Sequence, residues 1–437
     1  MSRDPAPQSP LVRTGTITLA SRVVVFALSL AAGVILARTL GPQGRGLYAL
    51  ALVAPSALTL VANLGVSQAL TYYLARREFP VDSLIGHAIT LALLLGAATT
   101  VLLVAVMAVA GRWVLPGVPF SLVVIASLSI PLGLFFYFSL SFVQGKEDFV
   151  GFNALYLVNA LALVLLLVPL FAARGNVALA VGAWSLSWVP TAVLGVFLLS
   201  RHGRLNLRLE PRVARALFRF GIVGYVGFVT NYLNFRLDAF LVNIFTNAAQ
   251  VGFYAVAVSL AETIWYVASA ASTVLAPRVA SSEPATSDIT TGRVSRVVVT
   301  ITMLGAVALG LVASPLIRLL FGGAFAPSVL AVWLLLPGIV TSGVARVLSG
   351  YLLGRNRLIV DFAASLAGLG MTLVFDIVLI PRYGFAGAAV ASSLAYTTTM
   401  LVNMRWVVRN SSLTVKTLLV PTWADVRAAR QLWGRPS

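Results

Sequence analysis

Three arginines and two acids stand inside stretches that are otherwise apolar: Arg22, Arg236 and Arg346, with Asp238 and Glu262. A charge at the centre of a membrane-spanning helix costs about 2.5–3.5 kcal/mol on insertion scales, so these positions need a chemical reason. An arginine fork grips phosphate oxygens two at a time and keeps its charge when water is removed. A buried carboxylate can take a proton or a sodium ion. Near them in the sequence, or in similar apolar runs, lie Asn63, Asn231, Tyr232, Asn234 and Tyr396. Aromatic faces stack on the apolar faces of sugars, while amides and hydroxyls bond sugar hydroxyls. Arg22, Arg236, Arg346, Tyr232, Asn63 and Tyr396 are therefore candidate contacts for an anionic substrate that carries sugar rings. Asp238, Glu262, Asn231 and Asn234 are candidates for holding a coupling ion.

The segment "NYLNFRLDAFLVN" (231–243) concentrates these groups. On a continuous helix each residue turns about 100°, so Arg236 and Asp238 point about 200° apart. Asn231, Asn234 and Asp238 then share one face, and Tyr225, Tyr232, Arg236 and Asn243 share a nearly opposite one. This predicts a helix buried on two sides. Two alternatives stay open: the charges pair with neighbouring helices, or at least one lines a transport cavity. Other spans carry polar stripes, such as Ser259, Glu262, Tyr266, Ser269 and Thr273. Small polar residues on one face are more often packing seams than ligand contacts. Asp361 and Asp376 fall near the ends of an apolar run and are expected at the membrane interfaces.

The elements that must position these residues are set by composition. The chain has 437 residues, 59% hydrophobic and 10% charged, against about 25% charged in soluble domains. There is no cysteine, and His87 and His202 stand alone, so no metal centre and no cofactor is expected. The net charge of +18 reads as membrane topology rather than nucleic-acid binding. Twelve runs of about 20 apolar residues are predicted as spanning helices: 15–38, 47–70, 84–109, 120–143, 150–173, 177–200, 217–245, 251–277, 294–319, 328–353, 358–380 and 385–408. The first is too long for a signal-peptide core. With the N-terminus in the cytoplasm, 22 of the 31 Lys and Arg lie on the cytoplasmic side and six on the other. This bias predicts a multi-pass plasma (inner) membrane protein with both termini cytoplasmic.

The halves echo each other. At an offset of 206 residues Gly46 meets Gly252, Tyr48 meets Tyr254, and Ala49 and Ala51 meet Ala255 and Ala257. "NVALAVGAWSL" (176–186) pairs with "GFAGAAVASSL" (384–394) at 208. An even number of spans per half makes the repeat parallel, with an axis along the membrane normal and a substrate site between the halves. The expected fold class is thus an all-α integral membrane protein of about twelve transmembrane helices, in two six-helix bundles related by a pseudo-two-fold. The expected organisation is an N-terminal bundle over 1–205, a C-terminal bundle over 206–410, and a cytoplasmic tail over 411–437. In that tail Thr422 would cap a basic helix lying on the membrane surface. The basic stretch "RHGRLNLRLEPRVARA" (201–216) would be an amphipathic link between the bundles.

Three segments carry a family resemblance: "ILARTLGPQGRGLYALALVAPSALTLVANLGVSQALTYYLAR" (35–76), "NFRLDAFLVNIFTNAAQVGFYAVA" (234–257) and "VLIPRYGFAGAAVASSLAY" (378–396). Together they resemble the polysaccharide-biosynthesis flippases of the MOP (multidrug/oligosaccharidyl-lipid/polysaccharide) exporter superfamily. The resemblance implies a transporter, not an enzyme, that moves oligosaccharide units on polyprenyl pyrophosphate from the inner to the outer leaflet. It implies alternating access helped by a proton or sodium gradient, with a polymerase and glycosyltransferases as partners. Arg236 and Asp238 match the family's span-seven pattern; Arg22, Glu262 and Arg346 come only from their apolar surroundings. The relatives that flip lipid II usually carry two further spans, for which the tail after 409 is too short. A cation-coupled multidrug exporter of the superfamily would favour acids over arginines in its cavity. A membrane glycosyltransferase or polymerase would need acidic catalytic motifs or a large outer loop, and neither is found in the sequence.

Overall fold

The structure is a computed structural model. It describes residues 10–172, 175–234 and 236–420, without the side chains of 10–17, 19, 171, 222–224 and 226–234. The described residues form helices joined by short turns, with no strand among them. In chain order they are α1 (Pro10–Asn63), α2 (Val66–Arg76), α3 (Val81–Val114), α4 (Phe120–Ser127), α5 (Ser129–Gly145), α6 (Phe149–Ala172), α7 (Val177–Ser200) and α8 (Pro211–Asn234). Then follow α9 (Leu237–Phe245), α10 (Ala248–Ala261), α11 (Trp265–Ser281), α12 (Pro284–Leu320), α13 (Ser328–Gly354), α14 (Leu358–Tyr383), α15 (Phe385–Asn410) and α16 (Val415–Leu419). Among the described residues ten helices are long and apolar enough to cross a membrane, against the twelve spans expected; the expected spans 47–70 and 217–245 are each interrupted, between Asn63 and Val66 and between Asn234 and Leu237. The protein is an all-α, multi-pass membrane protein.

The apolar part of α1, Ala20–Asn63, is 44 residues long. Straight, it would measure about 66 Å, roughly twice a bilayer's hydrocarbon core. It is broken instead at Gly41, whose φ of 64° and ψ of −177° lie outside the helical region. Pro42 follows, removing a backbone donor and excluding helical geometry for the residue before it. At the repeat offset of 206, Gly41 corresponds to Asn247. There too the chain starts a helix afresh, with the Asn247 side chain accepting from the Gln250 N–H at 3.1 Å. Both halves break at the same place by different chemistry, permissive backbone in one and an N-cap in the other.

The chain divides into two compact units, Met1–Val229 and Thr230–Ser437. In the first, α1 packs on α5, α6 and α7, and α3 on α5. Its core joins Leu36, Tyr48, Ala126, Leu167, Ala180 and Val181. The turn between α1 and α2 runs through Leu64 and Gly65, both with positive φ. Asn63 straps it: its side chain donates to Ser67 Oγ at 2.7 Å and accepts from the Ser67 N–H at 3.3 Å. Against this turn lies α8, where a Cβ on Gly221 would meet backbone atoms of Gly65 at 2.5 Å. The Tyr225 hydroxyl adds a bond to the Leu60 carbonyl at 2.7 Å. The stretch before α8 is not a free amphipathic link. It runs extended along the start of α3 and is pinned there: Arg204 N–H to Asp82 (2.9 Å), Arg208 N–H to Thr90 (3.1 Å) and Glu210 N–H to His87 Nε2 (2.9 Å).

In the second unit α13 is the central helix, packed on α10, α11, α12 and α15. Its core joins Leu275, Val298, Leu348, Tyr351, Met404 and Val407. Apolar side chains that stay exposed, such as Leu304, Leu311, Val374 and Ile377, belong to surfaces that lipid can cover. The end of this unit is latched by buried Asp288. It accepts from the Tyr351 hydroxyl (2.8 Å), the Ser412 N–H (2.8 Å) and the Ser412 hydroxyl (2.9 Å), with Arg355 at 3.7 Å. Arg296 holds the Thr417 carbonyl of α16 at 2.7 Å. Substituting Ala for Asp288 is expected to destabilise the protein by about 2–3 kcal/mol, because buried donors lose their acceptor. A lowered Tm of the purified protein in detergent checks this. The surface helix expected around Thr422 lies outside the described residues.

Candidate functional site

The polar segment 231–243 is not one helix. Arg236 has φ −130° and ψ −13° and stands at the N-cap of α9, after α8 has ended at Asn234. Turning angles therefore do not carry across it, and the two opposed stripes dissolve. The side chains of Asn231, Tyr232 and Asn234 lie outside the described residues.

The two charges on either side of Leu237 have different surroundings. Arg236 Nη2 meets Glu262 Oε2 at 3.5 Å, with the side chains 41% and 23% exposed. A partly exposed pair of this kind is weak. Glu262 sits in a 3-10 turn, Glu262–Ile264, that interrupts the long α10–α11 helix. Mid-helix turns of this type often mark hinges. One turn further, the Arg346 guanidinium lies 4.5 Å from the centre of the Trp265 ring, a cation–π contact worth about 0.5–2 kcal/mol. Trp265 packs edge-on against Tyr396, with ring centres 5.5 Å apart. Tyr396 is in electrostatic reach of Asp238, Glu262, Arg236 and Arg346 together. Arg346 and Tyr396, singled out from the sequence, thus meet at Trp265, which was not, and Tyr396 links them electrostatically to Arg236, Glu262 and Asp238.

Beside Arg346 opens a polar pocket of about 310 Å³, lined by Ser269, Ser272, Thr273, Ser349, Asp361 and Thr399 among others. Asp361 accepts from Ser349 Oγ at 2.5 Å and from Asn403 Nδ2 at 2.8 Å. Asp361, in the first turn of α14, thus takes part in a hydroxyl-rich cavity. This lining of donors and acceptors, with a fixed guanidinium at its edge, suits a polyhydroxylated ligand bearing negative charge.

Asp238 faces the other way. It opens α9, where the first-turn N–H groups favour a negative charge, and its Oδ1 accepts from the Ala239 N–H at 2.7 Å. Its Oδ2 accepts from the Tyr254 hydroxyl and from Ser392 Oγ (3.2 Å), which are themselves 2.9 Å apart. A second acid completes this corner. Asp376, also expected at an interface, is 0% exposed. It is in electrostatic reach of Asp238, and neither of its oxygens has a hydrogen-bond partner among the described residues. Helices α9, α10, α14 and α15 pack together here. A signal for Asp376 was present in the sequence: Gly368, Thr372 and Asp376 recur every fourth residue, and that stripe is the buried face of α14.

The first unit holds the remaining candidates. The Arg22 guanidinium lies 4.3 Å from the centre of the Tyr156 ring and 5.9 Å from that of Phe152. Asn63 is buried in the α1–α2 turn, spending its amide on Ser67.

The described residues form two units of long, apolar, membrane-spanning helices, with charged side chains clustered in the second. The fold is shared with three solved structures. The lipid II flippase MurJ, in an inward closed conformation, matches with a TM-score of 0.79 at 14% identity, over 97% of this chain and 94% of that chain. An inward-facing multidrug resistance MATE family transporter of the MOP superfamily matches at 0.72 and 15% identity, over 87% and 92%. A MOP superfamily transporter from Pyrococcus furiosus, described as having a binding pocket of reverse polarity, matches at 0.62 and 15%, over 90% and 94%. The flippase match spans nearly all of that chain, so the tail length does not set the present protein apart from it. No curated protein matches the sequence. The chain belongs to the polysaccharide biosynthesis protein family, whose characteristic sequence is matched over residues 35–330.

Proposed function

We propose that the protein is a flippase. It moves oligosaccharide units carried on polyprenyl diphosphate from the inner to the outer leaflet of the plasma membrane, by alternating access and with both termini cytoplasmic. The observation that carries this reading is the Arg346 guanidinium, fixed on Trp265 at the edge of the hydroxyl-lined pocket. The guanidinium suits a diphosphate oxygen, and the Ser, Thr and Asp361 lining suits sugar hydroxyls. Arg236, Arg22 and Tyr396 are assigned to the same anionic, sugar-bearing cargo. Asp238 and Asp376 are assigned to the coupling cation, a proton or sodium, with Glu262 as the switchable partner of Arg236. The transporter class of the similar solved structures supports movement of a substrate rather than chemistry upon it. A polymerase and glycosyltransferases of the same pathway would be its working partners.

Arg346→Ala is expected to lower surface polysaccharide at least tenfold and to accumulate lipid-linked units in the inner leaflet. Arg346→Lys, which keeps the charge but loses the planar fork, should recover part of the export. Normal surface polysaccharide in the Ala variant, at normal protein level, would remove Arg346 from the site.

A further inference from the structure

At the other end of the break between α1 and α2 lies a second cavity, of about 870 Å³, in the first unit. It is walled by Gln68, Tyr73 and Phe220 and bears Arg212, Arg215 and Arg219. The three arginines are spaced i, i+3 and i+7, so they stand on one face of α8. The aromatic wall is built: Tyr72 stacks on Phe220 with ring centres 4.3 Å apart, Tyr73 packs on Phe220 at 5.8 Å, and Arg76 lies 5.1 Å from the Tyr72 ring. Two acids are near. Glu210 is held by Arg208 at 2.8 Å, and Glu78 shares with Arg219 the electrostatic surroundings of Tyr73.

We infer that this groove binds the phosphate or diphosphate group of a membrane lipid. Topology alone asks for positive charge on one side of the membrane. It does not ask for three guanidinium groups around one cavity, nor for rings beside them. Along α8 exposed Arg212, Arg215 and Arg219 alternate with buried Val213, Leu217 and Gly221, so the charged side chains stand off the packed face. Arginines on such a helix can lay their stems on apolar surface and hold their heads at lipid phosphates. The contact of Gly65 with Gly221 and the Tyr225–Leu60 bond fix α8 against the α1–α2 turn, so the cavity has a set width. The inference does not depend on the flippase reading, because phospholipids and lipid-linked sugars present the same phosphate chemistry.

The test uses the full chain in phosphatidylcholine nanodiscs doped with either phosphatidylglycerol or a polyprenyl diphosphate, with retained lipid counted by native mass spectrometry. The wild type is expected to retain an anionic lipid at least tenfold more tightly than R212Q/R215Q/R219Q. A charge-matched control, R293Q/R357Q/R409Q, should retain it like the wild type. Equal, groove-dependent retention of both lipids supports the inference with a phospholipid as the resident. A tenfold preference for the diphosphate supports it with the cargo as the resident. Wild-type retention by the groove variant, or equal loss in the control, overturns it in favour of diffuse surface charge. Should the triple variant not accumulate, R215Q alone carries the test, with an expected threefold loss. Loss of export in a cell, with retention unchanged, would bear on the flippase reading and not on this one.

Discussion

Asp376→Asn is expected to abolish coupled export while leaving the protein folded. The side chain is fully buried, and no donor among the described residues reaches either oxygen. A charged carboxylate in that position is tolerable only with a cation or a proton close by. Asn keeps the shape and removes the charge. Asp238→Asn should act in the same direction on export and cost more stability, because Tyr254, Ser392 and the Ala239 N–H donate to that carboxylate and an amide nitrogen cannot accept from them. One elementary charge crossing about 100 mV supplies about 2.3 kcal/mol, roughly a fiftyfold gradient at 1.4 kcal/mol per factor of ten. Export driven by that charge should fall by a comparable factor. Reconstituted vesicles with an imposed proton or sodium gradient give the measurement, alongside the shift in Tm that sodium produces in the wild type and in each variant. Gradient-driven export that persists in Asp376→Asn would make the pair structural.

The second large effect is expected from Gly221→Val. A Cβ at this position meets Gly65 backbone at 2.5 Å, and a Cβ at Gly65 meets the Gly221 carbonyl oxygen at 2.3 Å. Neither neighbour is a flexible side chain that can swing aside. The helix α8 must leave the α1–α2 turn, and the Tyr225–Leu60 bond goes with it. Overpacking of this kind costs about 3 kcal/mol, enough to unfold a protein of ordinary marginal stability under mild stress. Folded yield after detergent extraction and Tm are the readouts. Gly182→Ala, where nothing lies within 4 Å of the added carbon, is expected to leave both unchanged. A Gly221→Val protein as stable as the wild type would mean that α8 is not seated on this turn.

The positions of the membrane helices were legible in the sequence because lipid leaves little choice. A backbone that cannot bond to water must bond to itself, and about 20 apolar residues are needed to cross. Arg236, Arg346, Glu262, Tyr396 and Asp238 were legible for the same reason, since charge and hydroxyls stand out against an apolar run. The partners were not. The end of α8 carries no Gly or Pro to announce the break before Arg236, so periodicity alone drew one helix through it. Asp361 and Asp376 lie near span ends, and distance along the chain says how deep a residue sits, not what surrounds it. Asp361 bonds Ser349 and Asn403 of neighbouring helices, and Asp376 is buried near Asp238. Trp265 and Tyr254 looked like ordinary apolar and repeat residues, because their role is set by helices far away in sequence.

The matched breaks at Gly41 and Asn247 have an evolutionary consequence. One half turns its chain by a backbone conformation that side chains resist, ahead of a proline; the other does so by a hydrogen bond from a side chain. At 41 almost any replacement is strained, whereas at 247 aspartate, serine or threonine could serve in turn. The two echoing segments are therefore subject to different rules of substitution. The first half is bound to a single residue at its turn, and the second can use several, which lets the halves differ in sequence while keeping the same bend.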